Sequence, residues 1–205
     1  LTDHKVNTQY IRRVKDGMGT WLAVFNNEEV GSNTRQGADS TFLTDVLERI
    51  ADGCGLSKEE WKAAVANSFL VSADNAHAIH PAHPEYADKG EFPVLNGGIV
   101  IKYNANQRYT SDAVSAGIFR RICESAGVPV QYYANRADMP GGSTLGNISN
   151  TQVSLNAVDI GLAQLAMHSP FETAGAADTA SLVKALTAFF EHSLVAERDG
   201  VYRFL

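Results

Sequence analysis

Runs of three to five consecutive apolar residues recur along this chain, each too short for a stable helix and interspersed with stretches of helical periodicity. The clearest are 21–25 (WLAVF), Phe69–Ala73 (FLVSA) and Ile99–Tyr103 (IVIKY). A strand covered on both faces reads this way, because neither of its sides meets water. Between these runs, Phe42, Val46, Leu47 and Ile50 predict a helix that ends before Gly53 and Gly55. Ser57 with Glu60 predicts a capping box that opens a helix to about residue 68. Val114, Ile118, Phe119 and Ile122 predict another, stopped at Gly127. Val130–Ala134 and 157–160 are further short strand candidates, and Leu182, Leu186, Phe189 and Phe190 mark a helix near the C-terminus. This alternation predicts an α/β layered domain with a mostly parallel central sheet. In such folds functional groups gather at the carboxyl ends of strands.

Composition narrows the partners. No apolar run approaches the ~20 residues of a membrane-spanning helix, so no membrane association is expected. The net charge of −6, from 17 Lys and Arg against 23 Asp and Glu, leaves no basic excess to hold a phosphate backbone. No nucleic-acid partner is expected either. Cys54 and Cys123 lie far apart with no CxxC, which predicts two reduced thiols, both small core residues, in a cytoplasmic setting.

The segment 72–84, SADNAHAIHPAHP, places three histidines at steps of three. Pro81 and Pro84 forbid one continuous helix across it, so His77, His80 and His83 cannot share a helical metal-binding face. Its other candidate is Asp74, just past the predicted strand Phe69–Ala73. Glu28 and Glu29 follow the predicted strand 21–25, where neighbouring carboxylates would point in different directions. His168 ends a mainly apolar approach, QLAMHSP. Each alone is equally readable as an acidic turn, an Asx turn or a hydrogen-bonded structural histidine. Together Glu29, Asp74 and His168 make a carboxylate, carboxylate and imidazole set that suits zinc. The loop 138–146, DMPGGSTLG, has residues that permit close backbone approach, and reads either as a cradle for a carboxylate or oxyanion or as a plain connection. No GxSxG, P-loop or dinucleotide fingerprint is present, which disfavours serine nucleophiles and nucleotide cofactors.

Five blocks in order, NNEEVGS (26–32), SADNAHAIHP (72–81), LNGGIVIKYNANQRY (95–109), NRADMPGGSTLG (135–146) and DIGLAQLAMHS (159–169), resemble the C-terminal part of the aspartyl aminopeptidase family of zinc metallopeptidases. The resemblance implies a layered α/β/α domain of the phosphorylase/hydrolase-like zinc exopeptidase type, here incomplete. It implies that Glu28 is the general base and that Glu29, Asp74 and His168 are zinc ligands. Two zinc ions are expected in the complete enzyme. His77 is expected behind the ligands or against substrate, Lys102 as the partner of an acidic substrate side chain or else an ordinary surface lysine, and Gly142, Ser143 and Thr144 as a substrate-cradling loop. His80 and His83 are expected to be bystanders.

The implied reaction is removal of N-terminal Asp or Glu from peptides, with neutral-residue specificity as a competing form. The family's self-association into a large homo-oligomer, a dodecamer, is expected to carry over. Residues 1–205 are expected to be the C-terminal part of the metallopeptidase catalytic domain, with the N-terminal part and an inserted dimerisation domain absent. The family's remaining histidine ligand and bridging aspartate would belong to that N-terminal part, since Asp3 and His4 lie in a segment unlike either motif. The isolated chain is therefore expected to be weakly active or inactive. The alternative is a non-catalytic subunit or interaction module with the same fold.

Overall fold

The computed structural model describes residues 10–13, 19–198 and 200–205; Asp3 and His4 lie outside them. β1 (Tyr10–Arg13) and β2 (Gly19–Leu22) form an antiparallel hairpin, followed by a 3-10 turn at Glu28–Val30. α1 (Phe42–Gly53) and α2 (Lys58–Ala66) lead to β3 (Phe69–Ala73), the short β4 (Ala76–His77) and a 3-10 turn at Pro84–Tyr86. Then come β5 (Ile99–Tyr103), α3 (Ala113–Ser125), β6 (Val130–Ala134), α4 (Leu145–Gln152), β7 (Asn156–Gly161), β8 (Ala163–Leu165) and β9 (Thr173–Ala174). α5 (Ala176–Glu191) precedes a last antiparallel hairpin of β10 (Leu194–Arg198) and β11 (Val201–Phe204).

The main sheet has the order β3-β7-β5-β6. β3 runs parallel to β7 and β5 parallel to β6, while β5 and β7 meet antiparallel at Val100 opposite Gly161 and Ile101 opposite Ile160. The sheet is thus mostly parallel, as the alternation of elements predicts. Its β5 is buried on both faces. Ile99 and Ile101, with Val158 and Ile160 of β7, pack on Phe119 and Ile122 of α3 and on Ala185 and Ala188 of α5. Val100 faces the other way, against Ala76 and Ala163. α2 and α3 both open on capping boxes, Ser57 with Glu60 and Asp112 with Ser115. Gly127, in the left-handed region at φ 63°, stands just past the C-terminal end of α3.

Several expectations are corrected. The apolar run 21–25 is not a buried strand, since only its first two residues lie in β2, and Leu22 and Val24 are 47% and 49% exposed. Apolarity without a covering layer does not bury a strand, and β1–β2 stands as a hairpin apart from the main sheet. Cys54 is exposed at the end of α1, not in the core, whereas Cys123 is buried among apolar side chains and its thiol is pushed up to about 12 by desolvation. The proline-broken stretch after Asp74 is indeed not a continuous helix. α4 has no sequence expectation behind it, because LGNISNTQ offers only Leu145 and Ile148 as an apolar face.

Phe119 is fully buried between sheet and helices. Phe119→Ala should therefore cost about 3–5 kcal/mol of stability, read as a lower urea midpoint with an unchanged slope.

Candidate metal centre

Sheet geometry brings Asp74 and His168 to one end of the molecule. Asp74 is the first residue beyond β3, and its backbone N–H donates to the Ile160 carbonyl at 3.0 Å, continuing the β3–β7 ladder. The pairing then passes to β4 and β8, where Ala76 lies opposite Ala163 and His77 opposite Gln164. Asn75 fastens this junction, its Nδ2 donating to Gln164 Oε1 at 2.6 Å and its Oδ1 accepting from the Leu162 N–H at 3.4 Å. His168 follows β8 by three residues, with φ at 67°, a left-handed conformation that few non-glycine residues hold without support. The Glu172 carboxylate supplies it, accepting from the His168 backbone N–H at 2.7 Å.

Glu28 and Glu29 arrive from a different part of the fold. They open a 3-10 turn bracketed by Asn27 at φ 59° and by Gly31 and Ser32 at 102° and 61°. Ser32 closes it, its N–H donating to the Asn27 carbonyl at 2.8 Å. The segment after the turn is tied to the end of α4, where Thr44 Oγ1 of α1 donates to the Gln152 carbonyl at 3.2 Å and Gln152 Nε2 donates to the Asp39 carbonyl at 3.3 Å. A strand would have splayed the two carboxylates apart. Because the backbone turns here, one oxygen each from Glu28, Glu29 and Asp74 lies within 4.8 Å of the others. His168 Nε2 is 2.7 Å from Glu29 Oε2. The four side chains expected to act together do converge.

Three carboxylates at this separation repel one another. Glu28, half-buried, has its carboxyl raised above the ordinary glutamate value, first by desolvation and then by the charges of Asp74 and Glu29. His77 is held below the usual histidine value by desolvation and then by His168 and Lys102, so its ring is neutral at neutral pH and offers a lone pair. The competing reading of Lys102 as an ordinary surface lysine is overturned. Lys102 is 1% exposed, and its Nζ donates to the Asp74 carbonyl at 3.1 Å, to Asp74 Oδ2 at 3.4 Å and to the Asn75 carbonyl at 3.3 Å. It also lies 4.9 Å from the centroid of Tyr109. His80 and His83 form an exposed stack with Tyr86 away from these ligands. Gly142 and Ser143 are exposed, and Thr144 is buried as the residue before α4.

The donor set is oxygen-rich with one imidazole, and its mutual repulsion is what a divalent cation relieves; both features fit zinc. Residues 7–190 match the family model for aminopeptidase I zinc metalloproteases, M18. The chain belongs to the M18 family. Among its M18 relatives, a probable M18 family aminopeptidase 2 of Clostridium acetobutylicum is 47% identical over 169 residues, 82% of this chain and 39% of that protein. One of Pseudomonas aeruginosa is 47% identical over 173 residues, 84% of this chain and 39% of the relative. This M18 chain thus spans about two-fifths of the length of the curated relatives it matches. Among solved M18 structures, a crystal structure of prApe1 shares 32% identity at a TM-score of 0.80, covering 87% of this chain and 38% of that one. A Saccharomyces cerevisiae mApe1 dodecamer has the same identity at 0.75, covering 87% and 39%.

Sequence reasoning reached the residues that cluster here but not what supports them. Asn75, Tyr109 and Asp159 carry the local geometry, and the only signal for them was their place inside the quoted blocks.

Because ionised Glu28 is disfavoured in the metal-free fold, stability falls as pH rises through its raised value. At neutral pH Glu28→Gln should therefore raise the metal-free melting temperature by about 1–2 °C. Added zinc should raise that of the unaltered protein, and Glu29→Gln or His168→Ala should remove at least about half of this rise. Differential scanning calorimetry measures both.

Proposed function

We propose that this chain carries the general base and three zinc ligands of an aminopeptidase that removes acidic residues, Asp or Glu, from peptide N-termini. The observation that carries the reading is the convergence of Glu28, Glu29 and Asp74 with the His168 imidazole on Glu29. Glu29, Asp74 and His168 would hold zinc, two ions being present in the complete enzyme. Zinc, when bound, acidifies a water and polarises a carbonyl. Glu28 is the carboxylate left free to accept the attacking water's proton and deliver it to the departing amine. Its raised affinity for protons in this cluster suits both halves of that transfer. Ser143 and the backbone of Gly142 and Thr144 would receive the substrate's polar groups, and His77 would border the same space.

Activity is assigned to the complete enzyme, of which residues 1–205 are the C-terminal part of the catalytic domain; a further histidine and a bridging aspartate would complete the zinc pair there. Support comes from the chain's two-fifths share of its relatives' length. Self-association into a homo-oligomer is likewise proposed, on the likeness to a structure described as a dodecamer. Cys54 and Cys123 are free thiols, in keeping with the reducing environment of the cytoplasm.

In the complete enzyme Glu28→Gln should lower kcat by about 10²–10⁴-fold while zinc content stays unchanged; near-normal turnover sinks the assignment. The acidic preference is based on Lys102, a buried cation whose ammonium contacts Asp74. Lys102→Ala should raise KM for an N-terminal Asp substrate about tenfold more than for an N-terminal Ala substrate. Equal loss on both would mean that Lys102 acts only through Asp74.

A further inference from the structure

The buried groups that the proposed chemistry leaves unused centre on Asp159. It lies in β7 at 0% exposure, and among the described residues no ion pair involves it. One carboxylate oxygen, Oδ2, accepts from the Thr110 backbone N–H at 2.6 Å and from Thr110 Oγ1 at 2.9 Å. The main chain repeats the connection, with the Asp159 N–H donating to Ser111 Oγ at 2.9 Å and that hydroxyl donating to the Asp159 carbonyl at 3.3 Å. The other oxygen, Oδ1, has no hydrogen-bond partner and faces the first turn of α4. A Cβ on Gly146 would lie 2.2 Å from it and 2.4 Å from Oδ2, so only glycine lets the helix come this close. Thr144, which precedes α4, is 1% exposed and its Oγ1 is equally unpartnered.

A buried acceptor without a donor costs free energy. Here the positive end of a helix lies against the carboxylate and partly offsets that cost. The same carboxylate therefore touches two segments. Thr110 is next to Tyr109, whose ring covers the Lys102 ammonium that holds Asp74. Gly146 is two residues from Thr144 and the Gly142–Ser143 loop.

We infer that Asp159 is a positioning residue, locking the Tyr109–Ser111 segment on the ligand side to the start of α4 on the loop side. The loop's part in substrate binding rests on the function proposed above; the lock itself does not. A carboxylate presents an acceptor on each oxygen, whereas a carboxamide presents only one and turns a donor toward either Thr110 or the helix start. Asp159→Asn also removes the negative charge that the Thr110 donors and the helix start both face, so both sides weaken.

The test compares Asp159→Asn with the unaltered protein by hydrogen exchange and, in the complete enzyme, by steady-state kinetics and zinc content. Expected are faster exchange in both 104–112 and 142–150, with the strands β5 and β7 still protected, and a KM raised about tenfold with kcat and zinc little changed. Unchanged exchange in either segment overturns the lock, as does a KM rise that only follows zinc loss. If the unaltered enzyme cleaves no peptide, the proposed function has failed, and the exchange pattern still decides the lock. Should Asp159→Asn not fold, Thr110→Val removes only the hydroxyl donor. It should loosen 104–112 to a smaller degree, and unchanged exchange there again overturns the inference.

Discussion

Parallel pairing of β3 with β7, from Phe69 beside Asn156 to Ala73 beside Ile160, ends both strands at the same level of the sheet and sends their continuations out side by side. Asp74 leaves one strand and the path to His168 leaves the other. The pairing continues through Ala76 and Ala163, so the two candidate ligands are set by one register. A slip of one residue would turn Asp74 to the opposite face, because side chains alternate along a strand. Gly161 shows how closely the register is fitted, since a Cβ there would lie 1.9 Å from the Asp74 carbonyl oxygen. Burial of β5 on both faces makes the arrangement rigid, and β5 also supplies Lys102 from beneath.

Electrostatics then determine what the cluster can be. Gathering Glu28, Glu29 and Asp74 costs energy that packing alone does not repay. Lys102 neutralises one charge from inside and His168 can share another from outside. Net negative charge remains, in a place where it favours a cation over a buried apolar contact. Lys102 and His168 shield Glu28 less than burial and the neighbouring carboxylates oppose its charge, which is useful in this setting, because a carboxylate that binds protons more readily is a better shuttle.

The sheet could be read from the sequence where apolar runs were covered on both sides, as at Ile99–Tyr103 and Asn156–Gly161, and also at Phe69–Ala73, which is a half-buried edge strand and not the fully buried one expected. The same logic failed at 21–25, where an equally apolar run lies in and just beyond an exposed hairpin. Hydropathy reports that a segment can be buried, but its covering layer is decided by other parts of the chain. Asp74, a candidate ligand, was legible from its place after a strand. Glu28 and Glu29 were found for a mistaken local reason, because a 3-10 turn, not a strand end, brings their carboxylates together. Lys102 was recognisable as special only by its position in a block, since a lysine on an apolar strand does not announce its partner. α4 and the Asp159 contact were hidden altogether. They depend on a pairing between residues 13 apart in sequence and on a glycine whose importance is spatial.

The central claim is that zinc is held by Glu29, Asp74 and His168. Anomalous scattering from zinc-loaded crystals, recorded on both sides of the zinc absorption edge, tests it most directly. The account predicts a peak bounded by the Glu29 and Asp74 carboxylates and the His168 imidazole, lost in His168→Ala. A peak only at the exposed His80 and His83 pair, or none at the carboxylate cluster in saturating zinc, would contradict it.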